Sequence, residues 1–229
     1  MEEKQVVIYT DGACDGNPGP GGYGVVMLYE GSSREVSQGY RLTTNNRMEV
    51  LAAISGLEAL KERSIVTVFS DSKYLVDAMD QGWAVGWMEA GWVRKDGKRV
   101  LNADLWMRML SLIEEHDVTF KWVKGHSGDR NNERADTLSY AAIENRDLLE
   151  DEGYILHLEV EKTAPSKMTK EGQPCRKCET PVVKKVPKRK LKPRQSFYFE
   201  YYLYCPGCQT RYMVEEAKRF IDQGSLFND

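Results

Sequence analysis

No stretch of this 229-residue chain approaches the ~18 apolar residues that a membrane-spanning helix needs, so a membrane is not among the expected partners. A secretory signal is lacking too. Residues 1–10, MEEKQVVIYT, set two acids before a four-residue apolar run, which is too short and wrongly charged. The cytoplasm is therefore the expected compartment. Internal repeats are absent. Cysteine is scarce: Cys14 stands alone, and the other four form two C-x-x-C pairs late in the chain. A disulfide framework does not suit a cytosolic chain of this size. What remains is a globular composition, 41% hydrophobic and 29% charged, long enough for one large domain or an ordinary domain plus a small module.

The net charge of −3 says little, because the charge is unevenly distributed. Residues 165–213 hold 12 Lys/Arg against 3 Asp/Glu, a net of +9, while the rest of the chain carries −12. An acidic body thus carries a basic tail. Only the run over 184–194 is compositionally biased.

Residues 4–10 (KQVVIYT) read as a buried strand, and 11–22 as a glycine- and proline-rich loop. Residues 23–29 and 34–42 read as a hairpin. Over 45–61 the spacing of Val50, Ile54 and Leu57 predicts a helix. A short β-branched strand over 65–70 follows, then helical stretches over 72–80 and 83–90 and a basic turn over 94–99. A helix over 103–116 carries Leu105, Met109 and Leu112 on one face. A strand over 118–123 and a helix over 129–145 complete the pattern. Three strands followed by alternating helices and strands predict an α/β fold, a mixed five-stranded sheet with helices packed on it. Periodicity stops near Asn145. The expected organisation is a domain over 1–146, a linker over 147–172 and a compact module over 173–229. One alternating piece of the linker, 154–160 (YILHLEV), reads as a strand.

Asp11 and Asp71 each fall just past the end of a short apolar strand. If those strands pair in parallel, about 4.8 Å apart, the carboxylates meet at one end of the sheet. Glu49 falls in the first turns of a helix, and Asp136 in the last helix of the domain. Any one of these acids alone suits a solvated surface charge or a helix cap. Four acids converging without Lys or Arg would repel, so such a site needs a cation. Oxygen-only ligands favour Mg²⁺ or Mn²⁺. A pair of such ions about 3.5–4 Å apart serves phosphodiester hydrolysis, one activating water and the other stabilising the departing 3′ oxygen.

Five blocks occur in order: YTDGACDGNPGPGGYG (9–24), TTNNRMEVLAA (43–53), SDSKY (70–74), WVKGHSG (122–128) and NERADTL (132–138). Together they closely resemble bacterial type 1 ribonuclease H, over about residues 4–146. The resemblance implies that Asp11, Glu49, Asp71 and Asp136 are metal-binding catalytic acids. It implies that His126 carries a proton during product release; an imidazole pKa near 6.5 suits that task. The implied substrate, an RNA/DNA hybrid, is read through its wide minor groove by shape, backbone and 2′-hydroxyls. By resemblance, Cys14, Asn17, Asn45 and Asn46 contact the strands near the scissile site. The Asn pair equally suits helix N-capping. Thr44 and Asn102 match a DNA-phosphate pocket. Lys73 departs from the family pattern, where a Gln is familiar. The segment with Trp83, Trp87, Arg94 and Lys95 matches a basic handle that grips the DNA strand. Its residues 94–99 carry a net of +3. Trp83 and Trp87, at i and i+4, also suit packing onto the helix below.

In the tail, Cys175-x-x-Cys178 and Cys205-x-x-Cys208 lie 26 residues apart. Four thiolates with no open position imply one structural Zn²⁺, and the module reads as a zinc ribbon. A redox pair is the rival reading. Residues 197–204 (FYFEYYLY) read as a central strand, and 213–222 as a terminal helix. Residues 184–192 would project as a basic loop or hairpin. Basic residues interleaved with Tyr and Phe suit single-stranded or hybrid nucleic acid; alternatively, the aromatics fill the ribbon's small core.

The whole predicts a Mg²⁺-dependent monomeric endonuclease that cuts the RNA strand of hybrids, leaving 5′-phosphate and 3′-hydroxyl ends. A hybrid-binding protein without catalysis and a DNA nuclease of the same fold are the competing classes.

Overall fold

The computed structural model describes residues 4–145, 147–163, 168–187 and 196–221. The chain divides into two units, Met1–Val160 and Glu161–Asp229. In the first, β1 (Lys4–Cys14), β2 (Gly19–Tyr29) and β3 (Ser32–Thr43) form an antiparallel meander. Then β4 (Ser64–Ser70) and β5 (Asp117–Trp122) join in parallel, giving the order β3-β2-β1-β4-β5. This is the expected mixed five-stranded sheet.

The helices of this unit are α1 (Asn45–Glu58), α2 (Lys73–Asp80), α3 (Trp83–Glu89), α4 (Ala103–Glu115), α5 (Arg130–Glu144) and α6 (Glu152–Thr163). Their starts are set locally. Ser72 Oγ accepts from Leu75 N at the head of α2, and Asp129 Oδ1 accepts from Asn131 N and Asn132 N at the head of α5. Met48, Val50, Leu51, Ala52, Ala53, Ile54 and Leu57 are all buried, so α1 is apolar nearly all round. A helix of that kind needs cover on more than one side, and it has the sheet below and α4 against it.

Alternate residues of β2 face opposite sides. Val25 joins Ile8 and α1 in the core, whereas Gly24 faces α5, where a Cβ would run into Ala135 O. The bare glycine lets α5 lie close to the sheet.

The structure differs from the sequence expectations at four places. β1 runs on through Cys14 and β2 starts at Gly19, so the glycine-rich loop shrinks to four residues and Asp11 lies inside a strand. Residues 154–160 are helix, in α6, and not strand. Asp151 caps that helix by accepting from Tyr154 N, which overrides the alternating pattern. Residues 197–204 split into two strands of different sheets, and the helix expected over 213–222 is absent among the described residues.

The second unit contains a three-stranded antiparallel sheet of β6 (Val183–Lys185), β8 (Tyr202–Tyr204) and β9 (Arg211–Met213), in the order β6-β8-β9. A two-stranded sheet pairs β7 (Phe197–Phe199) with β10 (Lys218–Phe220), and a 3₁₀ turn, Glu215–Ala217, precedes β10. The pairing of 218–220 with 197–199 takes the place of the expected helix. The buried core holds Met168, Cys175, Val182, Leu203, Cys205, Val214 and Ala217. Most of the basic insert, including Lys188, Arg189, Lys190, Lys192 and Arg194, lies outside the described residues.

Candidate active site

The last paired positions of β1 and β4 are Thr10 and Ser70. The next residue on each strand is an aspartate. Asp11 continues in β1, opposite Gly24 of β2, while Asp71 leaves the end of β4. Glu49 reaches the same spot from the second turn of α1. One ligand oxygen from each of Asp11, Glu49 and Asp71 lies within 4.8 Å of the others. Asp11 and Glu49 are buried, and among the described residues no ion pair to Lys or Arg relieves any of the three.

Each group is held by different atoms. The backbone N–H of Gly12 and the Asn45 side-chain amide donate to Glu49, the latter to Oε1 at 3.4 Å. Glu49 Oε2 is buried without a hydrogen-bond partner. Ser139 Oγ lies 2.6 Å from Asp11 Oδ2 and 2.7 Å from the Asp136 carbonyl. Trp122 Nε1 donates to Asp71 O. Gly125 passes so close that a Cβ there would collide with Asp71 Oδ2.

The electrostatic state follows from this crowding. Burial pushes the Asp11 carboxyl up to about 6. The Ser139 hydrogen bond and His126 act against that rise, and the charges of Asp71 and Asp136 add to it. Burial holds Glu49 well above the usual carboxylate range, with the Asp11 and Asp71 charges adding. The orphaned Glu49 oxygen and the uncompensated trio fit a hard divalent cation. Such an ion would satisfy the free lone pairs and cancel the repulsion.

Asp136, half-buried on α5, is not one of the three clustered acids, although its charge reaches Asp11. His126 is exposed on the loop before α5, in the left-handed region at φ 50°. Cys14 ends β1 with Sγ 3.6 Å from Gly19 O. Exposed Asn17 accepts from Asn45 N, so it is Asn17 that caps α1. The Asn pair does not cap it; Thr44 holds the N-cap position with no side-chain bond. Asn46 is exposed. Asn102, in a left-handed conformation at the head of α4, donates to Tyr74 Oη and accepts from Arg47 Nη1. Exposed Lys73 places Nζ 5.3 Å from the Trp122 ring centre. Trp87 packs on Trp106 of α4 at 5.7 Å, while Trp83 remains 40% exposed. Arg94 and Lys95 lie on a short exposed turn closed by Val93 pairing with Arg99.

Four supporting residues, Arg47, Thr43, Leu149 and Ser139, escaped the sequence reading. The buried Arg47 guanidinium forks onto Asp151 at 2.6 and 2.7 Å and onto Asp104 at 3.0 and 2.7 Å. Thr43 Oγ1 donates to the same Asp151 at 2.6 Å. Leu149 also joins β3 through backbone bonds to Gly39 and Arg41, so part of the expected linker packs on the first unit. Ser139 was the most legible of the missed residues, since it lies one helical turn from Asp136.

The second cluster is sulfur. Cys175, Cys178, Cys205 and Cys208 lie within 4.8 Å of one another as free thiols. Backbone N–H groups of Lys177 and Cys208 point at Cys175 Sγ and Cys205 Sγ. Four soft donors with amides aimed at them fit a tetrahedral thiophilic metal.

A three-strand meander extended by two parallel strands, with a carboxylate trio at the seam, defines the class: a mixed α/β protein whose acidic site fits a divalent metal. The comparisons narrow that class. The family model described as RNase H matches residues 3–144. The ribonuclease H of Syntrophus aciditrophicus is 59% identical over 152 residues, covering 66% of this chain and 88% of the relative. The ribonuclease HI of Synechocystis is 53% identical over 152 residues, with coverage of 66% and 95%. Among solved structures, LC9-RNase H1, described as a type 1 RNase H with the type 2 active-site motif, is 31% identical. It aligns at a TM-score of 0.58, over 72% of this chain and 85% of that one. The chain belongs to the RNase H family and is therefore a hydrolase.

Proposed function

We propose that this chain is an endonuclease that cuts the RNA strand of RNA/DNA hybrids and leaves 5′-phosphate and 3′-hydroxyl ends. The observation that carries the reading is the close set of Asp11, Glu49 and Asp71, without a Lys or Arg ion pair among the described residues, in an RNase H chain. These oxygen donors suit Mg²⁺, or Mn²⁺ in its place, and Asp136 would complete the set from α5. Two such ions, when bound, supply an activated water and a counter-charge for the departing 3′ oxygen. The chain's own residues do the rest. Asp11 and Asp71 hold their oxygens about one strand spacing apart. Glu49 keeps Oε2 free while Asn45 and Gly12 fix its position. Ser139 orients Asp11 Oδ2. His126, exposed beside the trio, would move a proton between solvent and the leaving product.

Recognition on this reading is by amides and backbone, which donate and accept without reading bases. Cys14, Asn17, Asn45 and Asn46 would contact the strands near the scissile bond, and Thr44 and Asn102 a DNA phosphate. Lys73, Arg94 and Lys95 would contact phosphates, with Trp83 beside them and Trp87 as the packed base of the handle. Zn²⁺ would close the second unit through its four cysteines. The free thiols suit the reducing cytoplasm, and the reading is of a monomer. The test is cleavage of labelled hybrid, duplex RNA and duplex DNA side by side in Mg²⁺. Cutting confined to the RNA of the hybrid is expected; equal cutting of duplex DNA would overturn the reading.

A further inference from the structure

The sheet β6-β8-β9 has two faces of different chemistry. Directly paired residues of antiparallel strands share a face. Lys184, Leu203 and Tyr212 therefore lie on one side. Leu203 is buried there, and Tyr212 Oη is 3.1 Å from Cys175 Sγ, so this side closes over the thiols. The opposite side presents Val183 and Lys185 from β6, Tyr202 and Tyr204 from β8, and Arg211 and Met213 from β9.

That outer face is built for something other than holding the module together. The side chains packed against the small core are Tyr201, Cys208 and Tyr212; Tyr202 and Tyr204 are not among them. Lys185 Nζ lies 3.7 Å from the Tyr204 ring centre, and Arg211 lies 5.7 Å from that of Tyr202. Among the described residues neither cation has a carboxylate partner, and none of the six positions holds an acid. Met213, 52% exposed, adds an unpartnered apolar edge.

We propose that this face is a nucleic-acid site separate from the carboxylate cluster, and that it takes an unpaired strand. Two tyrosines in one row, about 7 Å apart along the strand, offer two stacking surfaces once Lys185 and Arg211 leave the rings for phosphates. Cations on the flanking strands, each about 5 Å to the side, stand where phosphates of the stacked strand run. Charge complementarity points the same way, since residues 165–213 carry a net of +9. A duplex keeps its base faces stacked and could meet only the cations. The tyrosine rings therefore select for single strands, and because every base has a π-face, RNA and DNA should both bind.

The test uses the full zinc-loaded chain and fluorescein-labelled 12-nucleotide probes: single-stranded RNA, single-stranded DNA of the same sequence and a blunt RNA/DNA hybrid. Binding is read by anisotropy over a range of salt, with zinc content and melting curve as controls on folding. Lys185→Glu with Arg211→Glu should weaken both single strands about 10- to 100-fold. The slope of log affinity against log salt should shrink by about 1.4, two phosphates at ~0.7 each. Tyr202→Leu with Tyr204→Leu should lose about 10-fold or more, while Tyr202→Phe with Tyr204→Phe stays near wild type, because the ring and not the hydroxyl stacks. Should the leucine pair fail to fold, the charge and phenylalanine pairs decide alone. Unchanged single-strand affinity in the folded charge variant overturns the proposal. So does wild-type protein that binds the blunt hybrid but neither single strand, an outcome that would leave the face to a protein partner.

Discussion

Each unit gathers chemically matched residues, three carboxylates in the first and four cysteines in the second, yet the two sets stand in opposite relations to their cores. In the first unit the carboxylates sit at the end of a sheet whose core, from Ile8 to Met109, is complete without them. In the second, Cys175 and Cys205 are themselves members of a seven-residue core. Where the core is large, the protein can hold repelling acids in place and wait for an ion. Where the core is small, the four cysteines are part of what holds the protein, and a metal bound by them would become part of the fold.

The comparison breaks most visibly on chelation. Removing zinc, or changing Cys205 to Ser, should forfeit about 10 kcal/mol of metal-linked folding energy in the second unit. The first unit should keep its melting transition. Calorimetry showing one joint transition, lost on chelation, would end the distinction. Next in size is Asp11→Asn, which should lower hybrid cleavage by about 1000-fold or more and leave melting of the metal-free protein unharmed. A variant that both loses activity and unfolds would mean the acids support the fold after all.

Arg47 sharpens the contrast from inside the first unit, because its charge is balanced where those of the trio are not. Asp151→Ala should cost about 3 kcal/mol, since it leaves a buried guanidinium short of one partner; denaturant melts measure this. The smallest effect is that of pH. The folded-state pKa of Asp11, about 6, lies above its ordinary 3.8. The folded chain therefore binds more protons between those values, and metal-free stability should fall as pH rises from about 4 to 6. A rise of about two pH units, at ~1.4 kcal/mol each, puts the Asp11 share of the loss near 3 kcal/mol, and the raised Glu49 carboxyl adds to it with the same sign. Mg²⁺, which binds the ionised form, should reverse the trend above pH 6. Melting curves at pH 4.5 and 7.5 give the sign, and Asp11→Asn should show a shallower slope, with the buried Glu49 carboxyl supplying what remains.

The meeting of Asp11 with Asp71 was legible because each directly follows an apolar strand, and Glu49 joins them, whereas Asp136 stays outside the cluster. The sheet was legible from its β-branched runs. What stayed hidden depended on partners far along the chain. Residues 154–160 alternate like a strand, yet the cap that makes them helical is Asp151, fixed by Arg47 some hundred positions earlier. The length of β1 was underestimated because Gly21 and Gly22 pair with Cys14 and Ala13, and glycine says loop when read alone. The tail's terminal strand pairs with 197–199 for the same kind of reason: pairing decided, not local periodicity.

One ladder sets the gauge of the catalytic seam. The separation of Asp11 from Asp71 is inherited from peptide geometry, because both residues are simply the next step beyond Thr10 and Ser70. Volume-conserving exchanges among the apolar residues beneath should therefore leave that spacing unchanged. Adding or deleting a single residue within β1 is another matter: it would swing Asp11 to the opposite side of the sheet, or carry Val6 and Ile8 out of the core in its place.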